Sequence, residues 1–202
     1  MGLEEYRRSV SETKHAAILK AGRKHFLEYG YTGAAAAEIA READVSTATL
    51  YKHFASKEEL FAAVVKDAYH EIEIPPLPEG ADLEDVVVAI LKNYLVSHFE
   101  REVTALLRIV IAEVPSAPQL ALDLFDEFVT SRYQKMSEVV DLLVLQGVLK
   151  PHDTHFGVRL LIGAIKEHYI WPALFENKPS TPEGTDNVLR QVVRDYLHLY
   201  GK

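Results

Sequence analysis

Glu38 to Leu60, EIAREADVSTATLYKHFASKEEL, is the stretch that decides the fold, because it holds two short helices about a tight turn and the start of a third. Two helices joined this closely need a small residue where they cross and apolar anchors on their inner faces. Ala40 and Val45 sit at the crossing, and Ile39 and Leu50 are the anchors. Asp44 falls where the first helix must end in a left-handed residue, a conformation cheapest for Gly and tolerated by Asn and Asp. Ser46 is placed to cap the second helix, which therefore starts at Thr47. Thr47, Ala48, Thr49, Tyr51, Lys52 and His53 then share a short helix with little apolar surface beyond Leu50 and Phe54. Small polar, aromatic and cationic groups on an exposed helix suit a DNA groove better than a core.

Immediately downstream, Ser56-Lys57-Glu58-Glu59 fits a capping box, with Ser56 as cap and Glu59 reaching back to the Ser56 amide. Lys57 stands at the start of that helix, where free amides and the dipole favour an anion such as a backbone phosphate. Upstream, Lys14 to Tyr29 spaces Ala17, Ile18, Ala21, Phe26 and Leu27 as an amphipathic helix, and Gly30-Tyr31-Thr32-Gly33 ends it by turn chemistry.

The run FLEYGYTGAAAAEIAREADVSTATLYKHFASKEELF, Phe26 to Phe61, resembles the DNA-binding domain of the tetracycline-repressor (TetR) family of bacterial regulators. Val45-Ser46, Thr49-Leu50-Tyr51, His53-Phe54 and Ser56-Lys57-Glu58 carry the match, and Lys14 to His70 follow it more loosely. The resemblance implies that Thr49, Tyr51, His53 and Lys57 bind phosphates, while Thr47, Ala48 and Lys52 face base edges. The chain departs from the family pattern at Asp44 and Ala48, where Gly is usual, and at Ala35-Ala36, where a Thr pair is usual. Losing those hydroxyls implies fewer anchoring bonds at the start of that helix.

Charge must be squared with a polyanionic partner, since 22 basic residues face 30 acidic ones, a formal net charge of -8. Residues 1–70 hold 10 of each sign, so the whole excess, 20 acidic against 12 basic, lies in residues 71–202. A neutral head implies weak non-specific attraction and reliance on a dimer reading two half-sites. There is no cysteine, so disulfide and thiol chemistry are excluded. No apolar run reaches the roughly 18 to 20 residues of a membrane span, and Met1 to Val10 carry no signal-peptide pattern. A cytoplasmic protein without a membrane partner is expected.

Beyond Glu71 helices alternate with breakers. The periodicity predicts helices near 57–72, 82–100, 102–114, 118–146, 153–175 and 184–200, with a linker at 74–80, turns at 115–118 and 146–151, and a loop at 177–184. No period-two alternation argues for a sheet. The fold class is all-α: a three-helix helix-turn-helix domain over residues 1–56 and a helical ligand-binding and dimerisation domain over 57–202. Within the latter, 57–72 forms the connecting helix and the lever between the domains. Ala105 to Val114, ALLRIVIAEV, is apolar enough to run through the middle of the second domain, where Arg108 and Glu113 need partners.

Tyr94, His98, Arg108, Phe125, Phe128, Tyr133, His168 and Trp171 are the candidates for a ligand pocket, with Phe99, Met136 and Tyr169 near them in the pattern. Each alone is more often plain core; together they suit a largely hydrophobic, even anionic, molecule between bundle helices. The last two helices carry more apolar positions than one core stripe uses. Phe156, Leu160, Leu161, Ala164 and Ile165 with Gly163, and Val188, Leu189, Val192, Val193, Tyr196, Leu197 and Tyr200, predict a two-fold homodimer through four helices.

Enzymatic readings lack their parts: the chain has no Gly-rich phosphate loop and no nucleophile elbow. His152-Asp153-Thr154-His155 straddles a turn and names no further ligands, so a capping Asp153 explains it better than a metal. No cofactor and no metal are expected. The reading is a homodimeric repressor released from a double-stranded operator by a small, largely hydrophobic effector. Its alternative is a DNA-binding protein without an inducer, architectural or controlled by a partner.

Overall fold

The computed structural model describes residues 2–69, 80–99, 101–176 and 184–202, without the side chains of residues 3 and 97–99. The expected linker up to residue 79, the last residues of the 57–72 helix and most of the 177–184 loop lie outside the described residues. Among the described residues the chain is helical with no strand, and it divides into two compact units.

The first unit comprises residues 1–69 and 105–121. Helix α1 (Leu3–Gly33) is bent at Gly30, whose φ of 71° is the left-handed break that the turn chemistry predicts. Helices α2 (Ala36–Glu42) and α3 (Thr47–His53) follow, joined through Asp44 at φ 54°. The Val45 amide donates to the Ala40 carbonyl at 3.0 Å, so the turn closes on the last buried residue of α2. Helix α4 (Lys57–Ala68) packs along α1. Phe26, Tyr31 and Phe61 form an aromatic cluster, with Phe26 and Phe61 edge to face at 4.9 Å. Around it Ile18, Ile39, Leu50, Leu60 and Val64 are fully buried. Glu42 on α2 ties to α1 through Lys24 Nζ at 2.6 Å and His25 Nε2 at 2.8 Å.

The grouping of contacts runs differently from the sequence pattern in two places. The helix from Lys57 groups with the first unit as far as Tyr69. Residues 105–113 of helix α6 (Arg101–Glu113) also group with the first unit, and Ile111 and Val114 are half exposed. The apolar run there is thus no central core helix. One face of it packs, and Glu113 accepts a hydrogen bond from the Thr32 hydroxyl at 3.2 Å.

The second unit holds α5 (Leu83–Phe99), the start of α6, the second half of α7 (Pro118–Phe125), α8 (Ser131–Leu145), α9 (Thr154–Ile165), α10 (Trp171–Phe175) and α11 (Thr185–Tyr200). Five residues of wider π winding, Asp126–Thr130, run α7 into α8, and another five, Lys166–Ile170, run α9 into α10. The two long helices expected over 118–146 and 153–175 are therefore continuous. Helix α5 packs on α11, and α9 on both α8 and α11. Their shared core is overwhelmingly aliphatic, with Leu91, Leu95, Val158, Ile162, Ile165, Leu189 and Val193 buried. Arg190 and Arg194 of α11 pair with Glu84 of α5, which clamps the two helices from outside.

Candidate nucleic-acid interface and ligand cavity

Helix α3 is held from below and left open above. Leu50 and Phe54 are buried, which fixes the rotation of the helix and turns Thr47, Ala48, Tyr51 and Lys52 to solvent. Its first turn is pinned by Ser46, whose hydroxyl oxygen accepts the Thr49 amide at 3.1 Å and lies 2.9 Å from the Thr49 hydroxyl. Thr49 is in consequence half buried and partly committed to the cap. His53 is also half buried, and burial, aided by His15, Lys52 and Lys14, lowers its pKa from the ordinary imidazole value. His15 of α1 stacks on Phe54 at 4.7 Å and stands 5.9 Å from His53. Lys14 and His15 thus join the cationic edge of α3, a neighbourhood that only the folded α1 reveals.

Lys57 opens α4 beside this surface. Its ammonium donates to the Thr32 carbonyl at 3.3 Å and lies 4.7 Å above the Tyr31 ring, and burial lowers its pKa. An ammonium has three donors, so this cradle leaves capacity for an anion. The Tyr31 hydroxyl donates to Glu58 at 2.7 Å, which holds the ring beneath Lys57; burial and the carboxylate together raise the phenol's pKa. Ser56 caps α4 as expected, its oxygen accepting the Glu59 amide at 3.2 Å. The reciprocal half is shifted by one residue: Glu59 accepts from the Ala55 amide at 2.6 Å, not from Ser56.

The second unit contains a cavity of about 270 Å³ between α5, α8, α9 and α11. Its wall is Leu83, Val86, Val87 and Ile90 on one side, Met136, Val139, Val140, Leu142 and Leu143 on the other, closed by Leu149, Val158, Leu161 and Leu197. Gln146 and Tyr196 are its two polar members. Of the side chains expected to bind a ligand, none belongs to this wall. Tyr94 is buried in the unit's core, Tyr133 lies against that core with Lys166 4.9 Å above its ring, and Phe128 is half buried at the π segment. Phe125, His168 and Trp171 are exposed, Arg108 groups with the first unit, and the His98 side chain lies outside the described residues. Among the described side chains of the wider aromatic and methionine set, Met136 reaches the cavity.

Tyr196 is fixed from behind. His152 Nδ1 lies 2.8 Å from the Lys150 carbonyl, which can only accept, so Nδ1 carries the proton and Nε2 accepts from the Tyr196 hydroxyl at 2.8 Å. The His152 ring stacks on Tyr200 at 3.9 Å. Gly157 makes room for this pair, since a Cβ there would come within 2.9 Å of His152 Nε2 and 3.0 Å of the Tyr196 hydroxyl. His152 is thereby a structural residue, and Asp153 caps α9 by accepting the Phe156 amide at 2.9 Å.

A row of apolar side chains on α9 and α10 faces solvent: Phe156, Leu160 and Trp171, with Phe175 84% exposed at the end. Gly163 lies among them with open space where a Cβ would stand. Leu161, Ile165, Leu189, Val193 and Tyr196, of the same apolar set, are buried in the unit's own core and form its inward stripe.

Comparison with known proteins agrees with this architecture. Residues 18–64 match the family of bacterial regulatory proteins of the tetR type, and residues 85–202 match the C-terminal domain of AefR-like transcriptional repressors. The chain is 31% identical over 168 residues to YdeS, an uncharacterised HTH-type transcriptional regulator of Bacillus subtilis, covering 78% of this chain and 79% of that one. It is 30% identical over 165 residues to the HTH-type transcriptional regulator RutR of Escherichia coli K12, covering 80% and 76%. A crystal structure of a TetR-family regulator from Mesorhizobium loti superposes with a TM-score of 0.81 at 25% identity, over 95% of this chain and 98% of the other.

Proposed function

The chain belongs to the TetR family of DNA-binding transcriptional regulators, and from that premise we propose a homodimeric repressor that leaves its operator when a small hydrophobic molecule enters the second unit. The observation that carries the reading is the split character of α3, buried on Leu50 and Phe54 and open on Thr47, Ala48, Tyr51 and Lys52. That open face enters a major groove. Thr47, Ala48 and Lys52 meet base edges, while Thr49, Tyr51, His53 and Lys57 hold phosphates on either side. Lys57 suits its part because the Tyr31 ring and the Thr32 carbonyl hold the ammonium in place while leaving donors unused.

The dimer forms through α9 and α10. Exposed Phe156, Leu160 and Trp171 form a larger apolar row than an isolated chain profits from displaying, and Gly163 admits a facing helix closely. Two copies related by a two-fold axis place their α3 helices in successive major grooves, about 34 to 36 Å apart. An effector shifts the dimer away from that spacing only by its difference in affinity for the two states.

Selection of binding sites from random duplex DNA by the full chain tests this. The expected product is a two-fold symmetric site with half-site centres about one helical turn apart. No enriched sequence, or an enriched site with no symmetry, overturns the homodimeric repressor.

A further inference from the structure

We infer that the aliphatic cavity of the second unit is a site for an uncharged molecule with a single alkyl chain, its one polar function held at the rim by the Gln146 carboxamide. The inference rests on the ligand-responsive reading above and goes further, because it fixes the charge and shape of the effector.

Charge is decided by the wall. Among the described residues that line it, thirteen of fifteen are Leu, Val, Ile or Met, and none is Asp, Glu, Lys, Arg or His. An ionised group brought inside would lose its hydration without gaining a partner. With His152 neutral and its Nδ1 proton on the Lys150 carbonyl, the Tyr196 hydroxyl donates to Nε2 at 2.8 Å and has no proton left for a carboxylate. The sequence pattern suggested a largely hydrophobic, even anionic, molecule beside Arg108 and His98; Arg108 is not among the described residues of this wall.

Shape follows from which residues line it. On α5 the wall spans Leu83 to Ile90, a rise of about 10 Å, and on α8 it spans Met136 to Gln146. About 270 Å³ spread over such a length accommodates an extended alkyl chain. Gln146 is exposed to solvent while also lining the cavity, which places the one amide at the mouth. A hydroxyl, ester or amide oxygen can meet the amide there while the alkyl body displaces no charged group.

The test is calorimetric titration of the full chain at pH 7.5 with the 1-alkanols from hexanol to decanol, and with octanoate and octylamine as charged counterparts of octanol. Affinity is expected to rise about fourfold per methylene until the channel is full, as hydrophobic transfer of each CH₂ requires. Octanoate and octylamine are expected to bind at least about a hundredfold more weakly than octanol. Val87→Phe and Val139→Phe, on opposite walls, are expected to weaken octanol binding tenfold or more without lowering Tm. If one of them fails to fold, the other carries the comparison, and the ligand series on the natural chain is independent of both. Octanoate binding as tightly as octanol, no dependence on chain length, or full octanol binding by both filled variants overturns the inference. DNA affinity measured on the same samples separates the two claims. Intact DNA binding with no alkanol binding sinks the site and leaves the regulator, whereas alkanol binding that leaves DNA affinity unchanged supports the site and sinks the effector role.

Discussion

The first unit is built around rings and polar ties, the second around branched aliphatic chains, and each choice suits where its chemistry is done. In the head, Phe26, Tyr31 and Phe61 lock together, and Glu42, Glu58 and Ser46 each fix a neighbouring group. Such a core has one arrangement, so the groups it displays on α3 are held still. In the second unit Val86, Val87, Val139, Val140, Leu142 and Leu143 leave space between them that no polar bond defends. On the proposed function, the rigid surface reads and the apolar interior with room accepts.

The sharpest way to break that contrast is to delete the same side chain in both units. Leu60→Ala, in the fully packed head, should cost near the upper end of the roughly 2 to 5 kcal/mol range for buried leucines. Leu143→Ala, on the cavity wall, should fall near the lower end, because its surroundings already lack contacts on one side. Denaturant unfolding of each variant measures the difference, and equal costs would mean that the two interiors are packed alike.

Next in size is the cap of α3. Ser46→Ala removes the acceptor of the Thr49 amide and should cost about 1 kcal/mol of head stability, with weaker DNA binding as the first turn frays. A variant that unfolds at the same denaturant concentration as the natural chain would place the rigidity of α3 elsewhere.

Lys57→Ala probes the surface role. Loss of one phosphate contact per chain should weaken binding to all duplexes alike and reduce the salt dependence of log K by about 1 per chain. An unchanged slope would assign the Lys57 ammonium to Tyr31 and Thr32 alone.

The smallest effect concerns pH. Burial holds the folded-state pKa of His53 below its unfolded value, near 6.5, so the unfolded chain binds more protons between the two. Stability is therefore complete above about pH 6.5 and declines as pH falls toward the folded value. His53→Gln should flatten that decline in a series of Tm measurements. An identical acid slope in the variant would assign it to other groups, among them Glu42, whose pKa is lowered chiefly by its bond to Lys24 and whose contribution fades at lower pH.

The same contrast explains what could be read from sequence. The set proposed to face DNA lies within eleven consecutive positions, Thr47 to Lys57, on elements whose ends are written in capping and turn residues. Asp44 and Ser46 take the predicted conformations because both depend only on neighbours in the chain. The cavity joins Leu83 to Leu197, across four helices, and its residues are ordinary aliphatics that no motif distinguishes. Aromatic side chains drew attention as pocket candidates because they are conspicuous in sequence; packing placed Tyr94 in the core and Phe125 at the surface. The ring of Tyr31 under Lys57 and the stack of His15 on Phe54 depend on long-range packing of α1 and carried no local signal. The π segment at Asp126–Thr130 likewise shows no breaker residue to announce it, whereas Lys166–Ile170 is followed by Pro172, whose missing amide interrupts the helical ladder.

The proposed role of α3 as the reading surface is tested most directly by one affinity ratio. With a duplex enriched from random DNA, at one fixed salt concentration, the natural chain is compared with Tyr51→Ala/Lys52→Ala, both exposed positions whose loss leaves the core untouched. At about 1 to 3 kcal/mol for each contact, the double variant should bind at least about thirtyfold more weakly while keeping its Tm. Affinity within about twofold of the natural chain, less than 1 kcal/mol, would contradict it.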